Sequence, residues 1–189
     1  MKKVIFLITI AIFSFSCGGG GTRYLDPNKA KGSKYWGPYE IKRVSKKMIT
    51  SLYNYLRSKN TPALILVKRV KNRTSEHLDT KLLSDQITTN LIQKRIQFID
   101  KSLDASAIKE MKDGMTGMID PNYSVPIGKL RSPNLYLYGD IRENMRYMGD
   151  KQVQYLVVTL RLRELATRMI VWQDKKEFLK SSSNRNISF

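Results

Sequence analysis

One cysteine and one histidine are all the chain offers of the side chains that most often bind zinc or act as nucleophile and base. A thiolate or multi-histidine metal site cannot be assembled from them. With no second cysteine, no disulfide can close within the chain, and the fold must hold by packing. G-x-S-x-G, G-x-x-x-x-G-K and G-x-G-x-x-G are all absent, which removes the usual signs of a serine hydrolase, a P-loop or a dinucleotide site. Acidic residues are scarce, 16 against 34 basic ones, for a formal net charge of +18. The only long apolar run, residues 4–15, falls short of the roughly 20 residues a bilayer span needs.

Carboxylates alone can run glycoside chemistry, and Glu76, Asp79, Glu110, Asp140 and Glu164 are available. None sits in a recognisable motif. Glu76 and Asp79 suit a helix start, where the dipole favours negative charge, and His77 reads as a loop or helix-start residue. The chain therefore reads as not an enzyme and calls for no cofactor.

The chain does carry an export signal. Lys2 and Lys3 precede the apolar run, and Ser14, Phe15, Ser16, Cys17 and Gly18 resemble a relaxed bacterial lipobox with a small residue before the cysteine. Cys17 is the expected lipid-attachment site, with residues 1–16 as signal peptide. Residues 17–37 read as the lipidated cysteine and a flexible tether, rich in glycine and without apolar periodicity. Export takes nucleic acid off the list of partners for the basic surface. An envelope protein, peptidoglycan or anionic lipid takes its place, beside the plain alternative of a solvated basic face.

Residues 38–180 read as a single α/β domain, with a flexible tail over 181–189. Over residues 39–57, Ile41, Val44, Met48, Leu52 and Tyr55 or Leu56 recur at helical spacing. Residues 63–70 form a short apolar run that suits a strand buried on both faces. A polar connection over 72–77 leads to a helix over 79–94 with Leu83, Ile87 and Leu91 on one face and Asp79 or Thr80 as cap. A strand over 96–100 and a helix over 105–111, capped by Ser102 or Asp104, follow. Residues 113–133, with three glycines and three prolines, read as an irregular loop and a candidate partner contact.

Strands over 135–147, 152–164 and 169–178 complete a mixed sheet of about five strands, packed by about three helices and ending in an antiparallel meander. In the middle strand Leu156, Val158, Leu160 and Leu162 alternate with residues that become polar towards its end. Arg142, Arg146, Arg161, Arg163 and Arg168 are expected to gather near that hairpin as a basic patch.

LILVKRVKNRTSEHLDT over residues 64–80, QFID over 97–100, LYLYGDI over 135–141 and IVW over 170–172 together resemble the LpoB-type penicillin-binding protein activators. The segment 72–79 is the most specific part. The resemblance implies a fold like the N-terminal domain of TolB and an outer-membrane lipoprotein facing the periplasm. It also implies a non-enzymatic role: binding a bifunctional penicillin-binding protein and stimulating peptidoglycan synthesis. Because the fold is shared with envelope assembly and secretion lipoproteins, a structural or assembly factor with another partner is the alternative. The candidate contact residues are Asn72, Arg73, Thr74 and Ser75 with Arg142, Arg146, Arg161 and Arg163. Asn72 and Thr74 also suit turn hydrogen bonds that hold the loop.

Overall fold

The computed structural model describes residues 26, 36–59, 62–101, 104–120, 122–124, 128, 130–149 and 151–183. The expected signal peptide, Cys17 and nearly all of the tether lie outside them. Helix α1 (Pro38–Ser58) starts with proline in its first turn, and Glu40 Oε2 accepts the Gly37 N–H at 3.0 Å, which closes an otherwise open helix end. Of its expected apolar stripe Ile41, Val44, Met48 and Leu52 are buried, with Ile49 beside them, while Tyr55 and Leu56 at its end are partly buried. Helix α2 (Thr80–Gln93) is capped by Asp79, whose Oδ1 accepts from the Lys81 and Leu82 amides at 2.8 and 3.3 Å. Leu83, Ile87 and Leu91 face the core, as their spacing requires. Helix α3 (Asp104–Gly114) buries no residue. None of these helices is long and apolar enough to cross a membrane.

One mixed sheet holds six strands: β1 (Ile65–Val67), β2 (Lys71–Arg73), β3 (Phe98–Ile99), β4 (Leu135–Met148), β5 (Lys151–Glu164) and β6 (Ile170–Ser183). Their order is β3-β1-β4-β5-β6, and β2 continues beside β4. The pairs among β1 to β4 are parallel, and β4, β5 and β6 are antiparallel. Helices α1 and α2 pack on one side, over Leu137, Ile141, Leu156, Val158, Leu160 and Leu162.

Three expectations need correction. Residues 63–70 do not form one strand: Val67 pairs with Leu137 but Lys71 with Asp140, so one extra residue is accommodated in 68–70. Such an insertion breaks the ladder and switches which residues face inward. The resumed ladder is β2, a sixth strand inside the stretch expected to be a loop. The strand over 96–100 shrinks to Phe98–Ile99. The expected tail begins too early, because β6 runs through Ser183.

The start of α1 is locked to β6. Lys180 Nζ lies 3.0 Å from Glu40 Oε1, with the two side chains 16% and 8% exposed, and Trp36 meets Phe178 edge-on at 5.5 Å. Removing one partner of a buried pair leaves a charge uncompensated. Lys180→Met should cost about 3 kcal/mol in urea denaturation, and Glu40→Leu combined with it should recover part of that loss.

Candidate functional site

Asn72 organises the loop after β2. Its Oδ1 accepts from the Thr74 N–H and Thr74 Oγ1 at 2.9 and 2.8 Å, and its Nδ2 donates to the Glu76 carbonyl at 2.7 Å. These are the turn bonds that Asx chemistry favours. The loop is then pinned to the sheet. The Ser75 N–H donates to Glu143 Oε1, and Gln154 Nε2 donates to Glu76 Oε1 and Glu143 Oε2, each at 3.0 Å. Gln154 is buried, so these bonds form away from water. Burial pushes the Glu143 carboxyl upward, but the bonds from Ser75 and Gln154 outweigh it and hold the group below the usual carboxylate range. Asn72, Thr74 and Ser75 thus spend polar groups on holding the loop, while Arg73 stays exposed on β2.

The side of the sheet away from α1 and α2 carries a basic cradle of about 490 Å³, lined by Lys68, Arg69, Lys71, Arg73, Tyr136, Tyr138, Gly139, Asp140, Arg142, Arg161, Arg163 and Ile170. Register creates it. β2 sets Arg73 beside Arg142, β4 sets Tyr138 beside Arg161, and the pleat turns these alternate residues to one face. Asp140 is its only carboxylate. Its side chain is 10% exposed and is gripped by Arg161 Nη1 and Arg142 Nε, both at 2.6 Å. Burial pushes this carboxyl upward, yet the hydrogen bonds and charge of Arg161 and Arg142 prevail and hold it below 3.8.

One carboxylate cannot neutralise two guanidiniums, so the cradle keeps a positive excess. Lys68 Nζ sits 4.8 Å from the centre of the Tyr136 ring, and Arg163 Nε donates to the Arg168 carbonyl at 2.8 Å. Lys71 and Arg73 form no ion pair among the described residues. They are the free charges of the face.

The expected arginine cluster therefore assembles in part. Arg142, Arg161 and Arg163 share the cradle, and Arg168 joins it through its backbone. Arg146 stands apart, four residues along β4 from Arg142, roughly 13 Å at the usual strand rise. Sequence reasoning missed Lys68 and Lys71, and it named Asp140 as a candidate carboxylate without placing it among the arginines. The alternation Tyr136, Tyr138, Asp140, Arg142 was a readable signal for one polar face, but the pairing of β2 with β4 was not readable.

Three of the remaining candidate carboxylates have separate structural partners. Asp79 caps α2, Glu164 accepts from Thr167 Oγ1 at 2.5 Å, and Glu76 takes the Gln154 amide. Glu110 lies exposed on α3, and His77 is exposed in the loop before α2. No group of three or more His, Cys, Asp and Glu among the described residues is placed to hold a metal ion. Of the loop over 113–133, residues 121, 125–127 and 129 lie outside the described residues.

The assembly is a one-sided α/β domain with a polar, basic open face. The family model of the peptidoglycan-synthase activator LpoB matches residues 40–178, and the chain belongs to that family. No curated protein matches. Among solved structures, the LpoB C-terminal domain from Escherichia coli is 14% identical, with TM-score 0.44, over 74% of this chain and 98% of that one. Lipoprotein GNA1162 from Neisseria meningitidis is 17% identical, with TM-score 0.40, over 67% and 88%. The PelC dodecamer from Paraburkholderia phytofirmans is 14% identical, with TM-score 0.33, over 66% and 75%.

Asp140 gives the site a pH signature. Its folded pKa is depressed, so its stabilisation is fully present above the unfolded value near 3.8 and is lost as pH falls through the lower folded value. Asp140→Asn should lower stability at pH 7 and flatten the loss of stability below about pH 4, as read by chemical denaturation at a series of pH values.

Proposed function

We propose that this chain is a lipid-anchored, non-enzymatic activator of a bifunctional penicillin-binding protein, attached to the outer membrane through Cys17 with its domain in the periplasm. The observation that carries this reading is the family match over residues 40–178, whose description is activation of a peptidoglycan synthase. The lipobox at residues 14–18 supports the anchoring. Activation without chemistry requires only that the domain bind the active state of its partner more tightly than the inactive one.

The basic cradle on the open face is the contact surface in this proposal, and its positive excess suits an acidic surface on the enzyme. Lys71 and Arg73 are exposed and free of internal ion pairs, so they are available to such a partner. Arg142 and Arg161 are half committed to Asp140 and present a fixed guanidinium geometry instead. A flexible chain of about 20 residues reaches on the order of 25 Å, so a tether over residues 17–37 would place the partner close to the anchoring membrane.

Adding the full chain to a reconstituted bifunctional penicillin-binding protein should raise glycosyltransferase and transpeptidase rates. The pair Lys71→Glu and Arg73→Glu should raise the concentration needed for half-activation at least tenfold without unfolding the domain. Unchanged rates with the natural chain would sink the activator reading. Full activation by the double variant would move the contact surface elsewhere.

A further inference from the structure

β6 is an end strand of the sheet, and its outer edge pairs with no strand among the described residues. Its 14 residues give an edge of about 46 Å. Natural edge strands usually discourage further pairing by being short or by carrying proline or a bare lysine. β6 is long, and its one irregularity, a bulge at Val171 between the Leu162–Trp172 and Arg163–Ile170 pairs, lies near its start. It contains no proline, and each of its three lysines meets a carboxylate: Lys175 with Glu177 at 2.5 Å, Lys176 with Asp174 at 3.0 Å and Lys180 with Glu40 at 3.0 Å. Leu179 on the same strand is 72% exposed.

We propose that the free edge of β6 pairs antiparallel with β6 of a second copy of this chain, centred on Lys175, joining two six-stranded sheets into one. A two-fold axis perpendicular to the sheet keeps the helix-covered face and the open face each continuous, and it places one residue opposite its own copy. Among the four consecutive charged residues 174–177 at the middle of the strand, the charges favour one. Centring on Asp174 or on Glu177 sets like carboxylates face to face, and centring on Lys176 sets two ammonium groups together on the helix-covered side.

Centring on Lys175 instead places Asp174 opposite Lys176 of the second copy, Trp172 opposite Phe178 and Gln173 opposite Glu177, each twice by symmetry, within the regular part of the strand beyond the bulge at Val171. Opposite charges and aromatic pairs across strands both stabilise a ladder. The single like pair, Lys175 with its copy, lies on the open side, where each ammonium already has its own Glu177. The pairing is independent of the activator reading, because it uses the sheet edge and none of the cradle.

Cysteine scanning of the purified full chain in mild detergent, with the unsubstituted chain as background for Cys17, tests the register. Directly opposed residues sit about 4.5–5.5 Å apart at Cα, within the range a disulfide spans. Under a mild oxidant Lys175→Cys should give a covalent dimer. Gln173→Cys and Glu177→Cys should each stay monomeric alone and cross-link when mixed. A second arm keeps the test open if cysteine perturbs the strand. Asp174→Lys and Lys176→Asp should each weaken self-association at least tenfold in sedimentation, and an equimolar mixture should form a heterodimer, because the four facing charges are then complementary. Absence of the Lys175→Cys dimer, equal cross-linking at all three positions, or folded charge variants that fail to combine would overturn the proposal.

Discussion

The pleat of β4 is the constraint on which the rest of this domain depends. It is the one strand that pairs with β1, β2 and β5, so its alternation sets both faces of the sheet at once. Leu135, Leu137 and Ile141 turn towards α1 and α2, while Tyr136, Tyr138, Asp140 and Arg142 turn the other way. Gly139 marks where the fit is tightest: a Cβ there would collide with the Thr159 carbonyl and the Leu160 side chain. A one-residue slip along β4 would carry its aliphatic residues into water and its charges into the core, which is why the register is strongly specified.

Electrostatics divides the protein's positive charge into fixed and free parts. Asp140 and the arginines around it form a rigid set, because a buried carboxylate with two short guanidinium bonds has little freedom. Lys71 and Arg73 are held only by their backbone, in a strand that exists because the inserted residue in 68–70 lets the ladder resume. The formal +18 of the chain lies largely outside the core, which holds only a few charged residues, each paired, among them Glu40 with Lys180 and Asp140 with its two arginines. A surface of this kind can be altered at Lys71 and Arg73 with little effect on folding, while Asp140 cannot be changed without cost.

Legibility in the sequence followed the range of the interactions. The helices, the Asp79 cap, the meander and the alternation at 156–162 were readable because each depends on near neighbours and on a period of 3.6 or 2. The split of residues 63–73 into two strands was not, since it arises from pairing with residues about 70 positions away. The same reason explains the mixed outcome for the arginines. Arg142 and Arg161 meet because Asp140 draws both, a three-body arrangement across two strands, and Arg146 has no such carboxylate and stays apart. The family resemblance reached further than the physics, as the match over residues 40–178 shows, because it rests on long-range information that local patterns do not contain.

Anchoring changes what affinity the basic face needs. Under the proposed function, attachment through Cys17 would hold the domain in the same envelope layer as its partner, so a face that binds only weakly in free solution would still be occupied. Weak contact is also compatible with control, since a regulator that binds both states of an enzyme equally shifts nothing however tightly it holds. The rigid Asp140 set and the free Lys71 and Arg73 then contribute differently. Exposed charges speed encounter and are screened by salt, whereas fixed guanidiniums discriminate between partner geometries. In the proposed activator, selectivity would come from Arg142 and Arg161 as fixed by Asp140, and reach from Lys71 and Arg73, and the two sets could be varied independently.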